Sequence, residues 1–128
     1  MVPKFRAWDK RENTMRDVAV LHFTKGGKVN SIEYWNTPSE LKSYHVRNLV
    51  LMQSTGLKDK NGVEIFEGDV VEWLEHRGVV EFVLNNQQTM IIGASGYITD
   101  LDYSTDFNTE VIGNIHENPK ILGQANEI

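Results

Sequence analysis

The residues best placed to do chemistry are acids. Glu64 and Glu67, or Asp69 and Glu72, stand at spacings that suit paired carboxylates in general acid–base catalysis. They belong to, or border, the densest stretch of the chain, TGLKDKNGVEIFEGDVV, Thr55 to Val71. Gly56, Gly62 and Gly68 punctuate it, with Lys58 and Lys60 between the first two, so an anion cradle is one reading. The phosphate-loop pattern needs Gly-Lys-Ser/Thr, which is absent. A structural reading accounts for more of these residues. The glycines make turns, Asp59 and Asn61 satisfy turn backbone, and Asp69 braces the entry to a strand. Residues 61–128 hold twelve acids, enough to create carboxylate pairs by chance.

A second acidic run, DLDYSTDFNTE at Asp100–Glu110, offers oxygen ligands at Asp100, Asp102, Ser104 and Asp106. A calcium loop of the EF-hand type needs Gly at its sixth position and Glu at its twelfth; this chain has Thr105 and Val111. We read it as a solvated loop. His22, His45, His76 and His116 fall in separate segments without the close pairing of a zinc site. No serine lies in a Gly-x-Ser-x-Gly context, and there is no cysteine to act as nucleophile or ligand. The expectation is a non-enzymatic protein with no cofactor and no metal.

The elements that position these residues are short. At 128 residues, 40% hydrophobic and 24% charged, the chain is expected to form a single globular domain over 1–128, with 119–128 a flexible tail. The N-terminus, MVPKFRAWDKREN, lacks the apolar region of a secretory signal, and the longest apolar runs, such as LVLM, are far below the roughly 20 residues of a membrane span. A cytoplasmic protein is expected, with no membrane partner.

KFRAWD, MRDVAVLHF and VNSIEYW read as strands, the last two joined by the turn KGGK. On the second strand, Val18, Val20 and His22 should face one way and Ala19, Leu21 and Phe23 the other. TPSE at Thr37–Glu40 carries the marks of a capping box with proline at the first helical position, predicting a short helix from Pro38 to about His45. NLVLMQS reads as a buried strand. After the Asp59–Gly62 turn and a second at Gly68–Asp69, VVEWL, VVEFVL and TMIIGA form a meander reversed at EHRG and NNQQ. Ser95–Asn108 is less regular, and TEVIGNI is a last strand. The fold class is β-rich: a small SH3-like barrel or a strongly bent antiparallel sheet with one short helix. Candidate core residues are Phe5, Leu51, Ile65, Val70, Val79, Phe82, Ile91, Val111, Ile112 and Ile115.

KFRAWD, LMQSTGLKDKNGVEIFEGDVV, GVVEF and EVIGNIHENP, in that order, closely resemble the YopX family. The resemblance implies a β-rich, partly barrel-like fold and a bacteriophage or prophage source, acting inside a bacterial host. It brings no functional residues with it.

Charge supplies the remaining functional signal. Residues 1–60 hold eleven Lys and Arg against six Asp and Glu, net +5; residues 61–128 hold two against twelve, net −10. Such asymmetry could steer partners or stack copies head to tail, although the simpler expectation is that the halves interleave and cancel. The leading functional reading is a protein-binding or self-assembling module, engaging itself or a host or phage protein. The alternative is nucleic-acid binding through Lys4, Arg6, Lys10, Arg11, Arg16, Lys25 and Lys28.

Overall fold

In the computed structural model, which describes residues 4–83 and 88–120, the chain divides into two compact units, Val2–Gln53 and Ser54–Ile128. The strands are β1 (Phe5–Asp9), β2 (Thr14–Phe23), β3 (Val29–Thr37), β4 (Glu40–His45), β5 (Leu49–Lys58), β6 (Glu64–Phe66), β7 (Asp69–Trp73), β8 (His76–Val83), β9 (Gln88–Gly93), β10 (Gly96–Asp100) and β11 (Thr109–Asn114). All pairings are antiparallel. Among the described residues the sheets do not close into a barrel, so the bent-sheet alternative describes the fold.

In the first unit the strand order is β4-β3-β2-β1-β5, with β5 contributing Leu49–Gln53. Ala7, Ile32, Tyr34 and Leu49 are buried together, with Val18, Leu21, Val29, Tyr44 and Leu51 packed against them. Val18 and Leu21 share that face although strict alternation separates them. The reason is a break in register, where Val18 pairs with Tyr34 but Val20 with Glu33. One extra residue in β2 turns the strand over and bends the sheet. Val20 and Phe23 end up exposed.

The helix expected from Pro38 to His45 is not formed; this segment is the turn Pro38–Ser39 followed by β4. A proline φ near −65° suits the second position of a β-turn as well as the first turn of a helix. Glu40 does not reach back to close a capping box. It pairs with Thr37 across the hairpin, and its carboxylate accepts a hydrogen bond from Asn36 at 2.6 Å. Tyr44 pairs with Ile32 and packs on the core with its ring 6.4 Å from that of Tyr34. The helical turns among the described residues are two short 3₁₀ segments, Val46–Asn48 and Asp106–Asn108.

The second unit holds the sheet β10-β9-β8-β7-β11, with β6 paired to the end of β5. Its core is Leu57, Ile65, Val71, Val80, Ile91 and Leu101, with Trp73, Ile98 and Val111 against it. The meander β7-β8-β9 is as expected, but its first reversal is at Leu74–Glu75 rather than EHRG, with Leu74 in the left-handed region at φ 56°. The expected turn at NNQQ and the tail beyond residue 120 lie outside the described residues. Strand β10 occupies part of the stretch expected to be irregular. Of the candidate core residues, Ile65, Val70, Val79 and Ile91 are buried, and Phe5, Leu51, Val111 and Ile112 partly so. Phe82 and Ile115 are exposed, at 45% and 39%.

The charge asymmetry follows this division rather than being averaged out within each unit. Val2–Gln53 carries nine Lys and Arg against five Asp and Glu, net +4; Ser54–Ile128 carries four against thirteen, net −9.

Candidate functional site

The acids of the central motif are committed to backbone. Asp59 is buried at 6% exposure. Its Oδ1 accepts hydrogen bonds from the backbone N–H of Asn61 at 2.8 Å and of Val63 at 2.9 Å, and Oδ2 from that of Val111 at 2.9 Å. The carboxylate thus shapes the Asp59–Gly62 turn and ties it to β11. Lys60 N–H donates to the Thr109 carbonyl at 2.9 Å alongside. Gly62 has φ 82°, Gly56 80° and Gly68 85°, a region where any other residue would be strained. Asn61 Nδ2 and Lys60 Nζ both approach Glu110, at 3.3 and 3.9 Å.

Asp69 repeats the arrangement at the next corner. It is 1% exposed, and its Oδ2 accepts from Phe66 N–H at 2.8 Å across the turn. Gly68 N–H donates to the Val80 carbonyl, and its own carbonyl accepts from Ile115 N–H, so the corner is pinned from two sides. Asp69→Ala is expected to destabilise the protein by about 2 kcal/mol, because a buried donor loses a charged acceptor. Urea denaturation measures this; an unchanged midpoint would show that the turn does not depend on the carboxylate.

Gly56 sits where β5 carries extra residues, between the pairs Ser54–Phe66 and Lys58–Glu64. Side chains replace the missing ladder bonds: Thr55 Oγ1 donates to the Ile65 carbonyl at 2.7 Å and accepts from Leu57 N–H at 3.1 Å. The motif is specified by backbone geometry, and its buried carboxylates are already occupied. Of the first carboxylate pair, Glu64 accepts the Ser54 hydroxyl and Glu67 lies in the turn before β7; of the second, Asp69 accepts the Phe66 N–H and Glu72 is paired with Arg77 at 3.2 Å.

The acidic run Asp100–Glu110 is held by its own side chains. Asp102 accepts from the Ser104 hydroxyl and N–H, which hold its carboxyl below the usual range. The Tyr97 hydroxyl donates to Asp100 at 3.0 Å, which raises the tyrosine pKa. Thr105, at the calcium-loop glycine position, donates to the Asp100 carbonyl at 2.9 Å. The histidines are dispersed: His22 on Glu33, His45 on the Arg47 N–H, His76 stacked on Trp73. Among the described residues no group of three His, Asp or Glu side chains could hold a metal.

The seven cations of the nucleic-acid alternative are not gathered in one place. Arg16 reaches buried Asp9 at 3.3 Å, also pairs with Glu12, and lies 4.7 Å over the Tyr34 ring. Arg6 is half-buried with Nη2 3.8 Å from the Met52 sulfur. Lys4, Lys10, Arg11, Lys25 and Lys28 are exposed. Lys10 and Arg11 occupy the β1–β2 turn, whereas Lys25 and Lys28 occupy the β2–β3 turn. A ten-residue strand separates them, about 30 Å when extended.

The β1–β2 turn instead meets residues that sequence reasoning missed. Lys10 N–H donates to the Asn48 carbonyl at 2.9 Å, which brings Arg11 beside the end of β4 and the 3₁₀ turn after it. Arg11, Ser43, Tyr44, His45, Arg47 and Asn48 line a cleft of about 440 Å³. The Arg11 guanidinium lies 5.7 Å over the Tyr44 ring. No local sequence signal joins Arg11 to Arg47; only the fold does.

The family model for the YopX protein matches residues 4–123. The chain is similar to protein EF1440 from Enterococcus faecalis, known as a crystal structure, with 31% identity and a TM-score of 0.66 over 95% of this chain and 99% of that one. The crystal structure of yopX from Bacillus subtilis has a similar fold, with a TM-score of 0.61 at 20% identity over 93% and 95% of the two chains. No curated protein matches the chain. Since the model takes in nearly the whole sequence, from β1 past β11, the chain belongs to the YopX family.

Proposed function

We propose that this protein is a non-enzymatic binding module that assembles through opposite charge, with its basic first unit engaging the acidic second unit of another copy. An acidic host or phage protein is the corresponding partner if copies do not associate. The reading rests on one observation, the net charge of +4 on Val2–Gln53 against −9 on Ser54–Ile128. Complementary potentials of this kind steer encounter and set orientation. Apolar side chains are available beside the charges of the basic unit: Phe23, Trp35 and Leu41 are 60%, 47% and 39% exposed. A non-enzymatic role is in keeping with a central motif whose buried carboxylates serve backbone.

Light scattering on a sizing column tests this at low and high salt. Head-to-tail association predicts masses above the monomer at about 20 mM salt that fall toward the monomer at about 500 mM, because exposed charges are then screened within a few ångströms. A monodisperse monomer at both, retaining no protein from host lysate, would sink the proposal.

The carboxylate-free lining of the cleft at Arg11 and Arg47 favours a second reading, nucleic-acid binding by the first unit. Its signature would be an oligonucleotide mobility shift that weakens steeply with salt as counterions are released.

A further inference from the structure

We propose that the cleft at the end of β4 is a binding site for the phosphate of a nucleotide unit, free or within a strand. This deepens the nucleic-acid reading of the first unit and is independent of assembly by opposite charge. The cleft is lined by Arg11, Ser43, Tyr44, His45, Arg47 and Asn48, with no carboxylate among them. Neither the Arg11 nor the Arg47 guanidinium is in an ion pair among the described residues, whereas neighbouring Arg16 is neutralised by Asp9 and Glu12. Of the carboxylates close by, Asp9 accepts the Arg11 backbone N–H at 3.0 Å and is paired with Arg16, and Glu33, opposite Ser43, is engaged by His22 at 2.8 Å.

Three polar groups of the lining have assignable roles. His45 Nδ1 accepts the Arg47 N–H at 3.1 Å, so in neutral imidazole the proton sits on Nε2, which becomes a donor. The Tyr44 hydroxyl is buried and has no partner among the described residues. The Asn48 carbonyl is occupied by Lys10 N–H, which removes an acceptor that would repel an anion. Two guanidinium forks and an imidazole N–H exceed what the two oxygens of one carboxylate require. They suit a tetrahedral oxyanion approached from several sides. A volume of about 440 Å³ admits the sugar that carries the phosphate as well as the phosphate itself.

The test is a ¹H–¹⁵N NMR titration of the whole chain at low salt with inorganic phosphate, thymidine monophosphate and a ten-residue oligothymidylate. Saturable shifts are expected at Arg11 and across Ser43–Asn48, with binding weakened about tenfold or more by Arg11→Ala and again by Arg47→Ala. Lys25→Ala with Lys28→Ala, in the distant turn, should leave phosphate binding unchanged. The spectra themselves report whether each variant is folded, and Arg47→Lys, which keeps charge but loses the fork, should be intermediate. Competition by phosphate against the oligonucleotide assigns the site to a strand, and tighter binding of the mononucleotide assigns it to a free ligand. The proposal is overturned by absence of shifts with all three probes. It is equally overturned if Lys25→Ala/Lys28→Ala costs as much as the arginine variants, which would mean diffuse attraction. A glutamate-rich peptide that shifts these residues at lower concentration than phosphate would overturn it too, and give the cleft to a protein partner.

Discussion

Asp59→Ala is expected to destabilise the protein by about 4 kcal/mol, the largest loss from any single polar truncation considered. Three backbone N–H groups, those of Asn61, Val63 and Val111, lose a charged acceptor at once. Hydrogen bonds to charged groups contribute about 1.5–3 kcal/mol each, and removing the shared acceptor leaves up to three donors to find water. Solvent can reach the exposed turn at Asn61 and Val63 more readily than β11, which keeps the total below the sum of three full penalties. Asp59→Asn separates the two roles. The amide oxygen can serve either the turn or Val111, but its NH₂ then faces the other donor, so a loss of about 2 kcal/mol is expected. Urea unfolding of the three proteins gives the order. If Asp59→Asn matched the wild type, the carboxylate would not be bridging two elements, and the density of the motif would need another explanation. Amide exchange at Val111 in β11 offers an independent readout, since its N–H should lose protection in Asp59→Ala before β7–β9 do.

The parts of this fold that were legible in the sequence are those fixed by local backbone chemistry. Asp59-Lys60-Asn61-Gly62, Gly68-Asp69 and Lys25–Lys28 announce turns because glycine tolerates positive φ, and Gly27, Gly62 and Gly68 adopt it. The family resemblance took in the first two of those turns, within LMQSTGLKDKNGVEIFEGDVV, beside KFRAWD, GVVEF and EVIGNIHENP. What was not legible depends on partners distant along the chain. Thr37–Glu40 satisfies the rules for a helix start and for a hairpin equally, and only the pairing of Tyr44 with Ile32 decides between them. The register break in β2 shows only in its pairing across the sheet, Val18 with Tyr34 and Val20 with Glu33. Charge asymmetry was visible, but its boundary falls at Gln53, inside β5, and no compositional shift marks it. The cleft at Arg11 was invisible for the same reason: Arg47 was not among the suspected cations, and the fold brings Arg11 to it through the Lys10–Asn48 hydrogen bond and the Arg11–Tyr44 contact.

Gly78→Ala should cost about 3 kcal/mol, although the substitution adds one methyl group and suits a strand. The sequence places Gly78 in a reversal; the fold places it inside β8, opposite Val71 of β7 and one residue before the first β8–β9 pair, Val79 with Ile92. A Cβ there would lie 2.7 Å from Ile91 Cγ2, 2.8 Å from the Ile92 carbonyl oxygen and 3.0 Å from its carbon. The isoleucine methyl could rotate away only within a core where Ile91 is wholly buried, and the carbonyl cannot rotate at all without moving β9. Overpacking of this kind costs about 1–3 kcal/mol, and obstruction by backbone puts Gly78 at the upper end. Two other glycines calibrate the result. Gly26→Ala meets only Thr24 Oγ1 at 3.8 Å, without positive φ, and should fall within about 0.5 kcal/mol of wild type. Gly62→Ala meets nothing but holds φ at 82°, so its loss of about 1 kcal/mol comes from backbone strain alone. Urea midpoints should therefore fall in the order Gly26→Ala, Gly62→Ala, Gly78→Ala. Were Gly78→Ala to unfold with Gly26→Ala, strands β8 and β9 could not approach as closely as the Ile92 carbonyl demands. The glycine would then be back in the role its neighbours suggest, that of a turn.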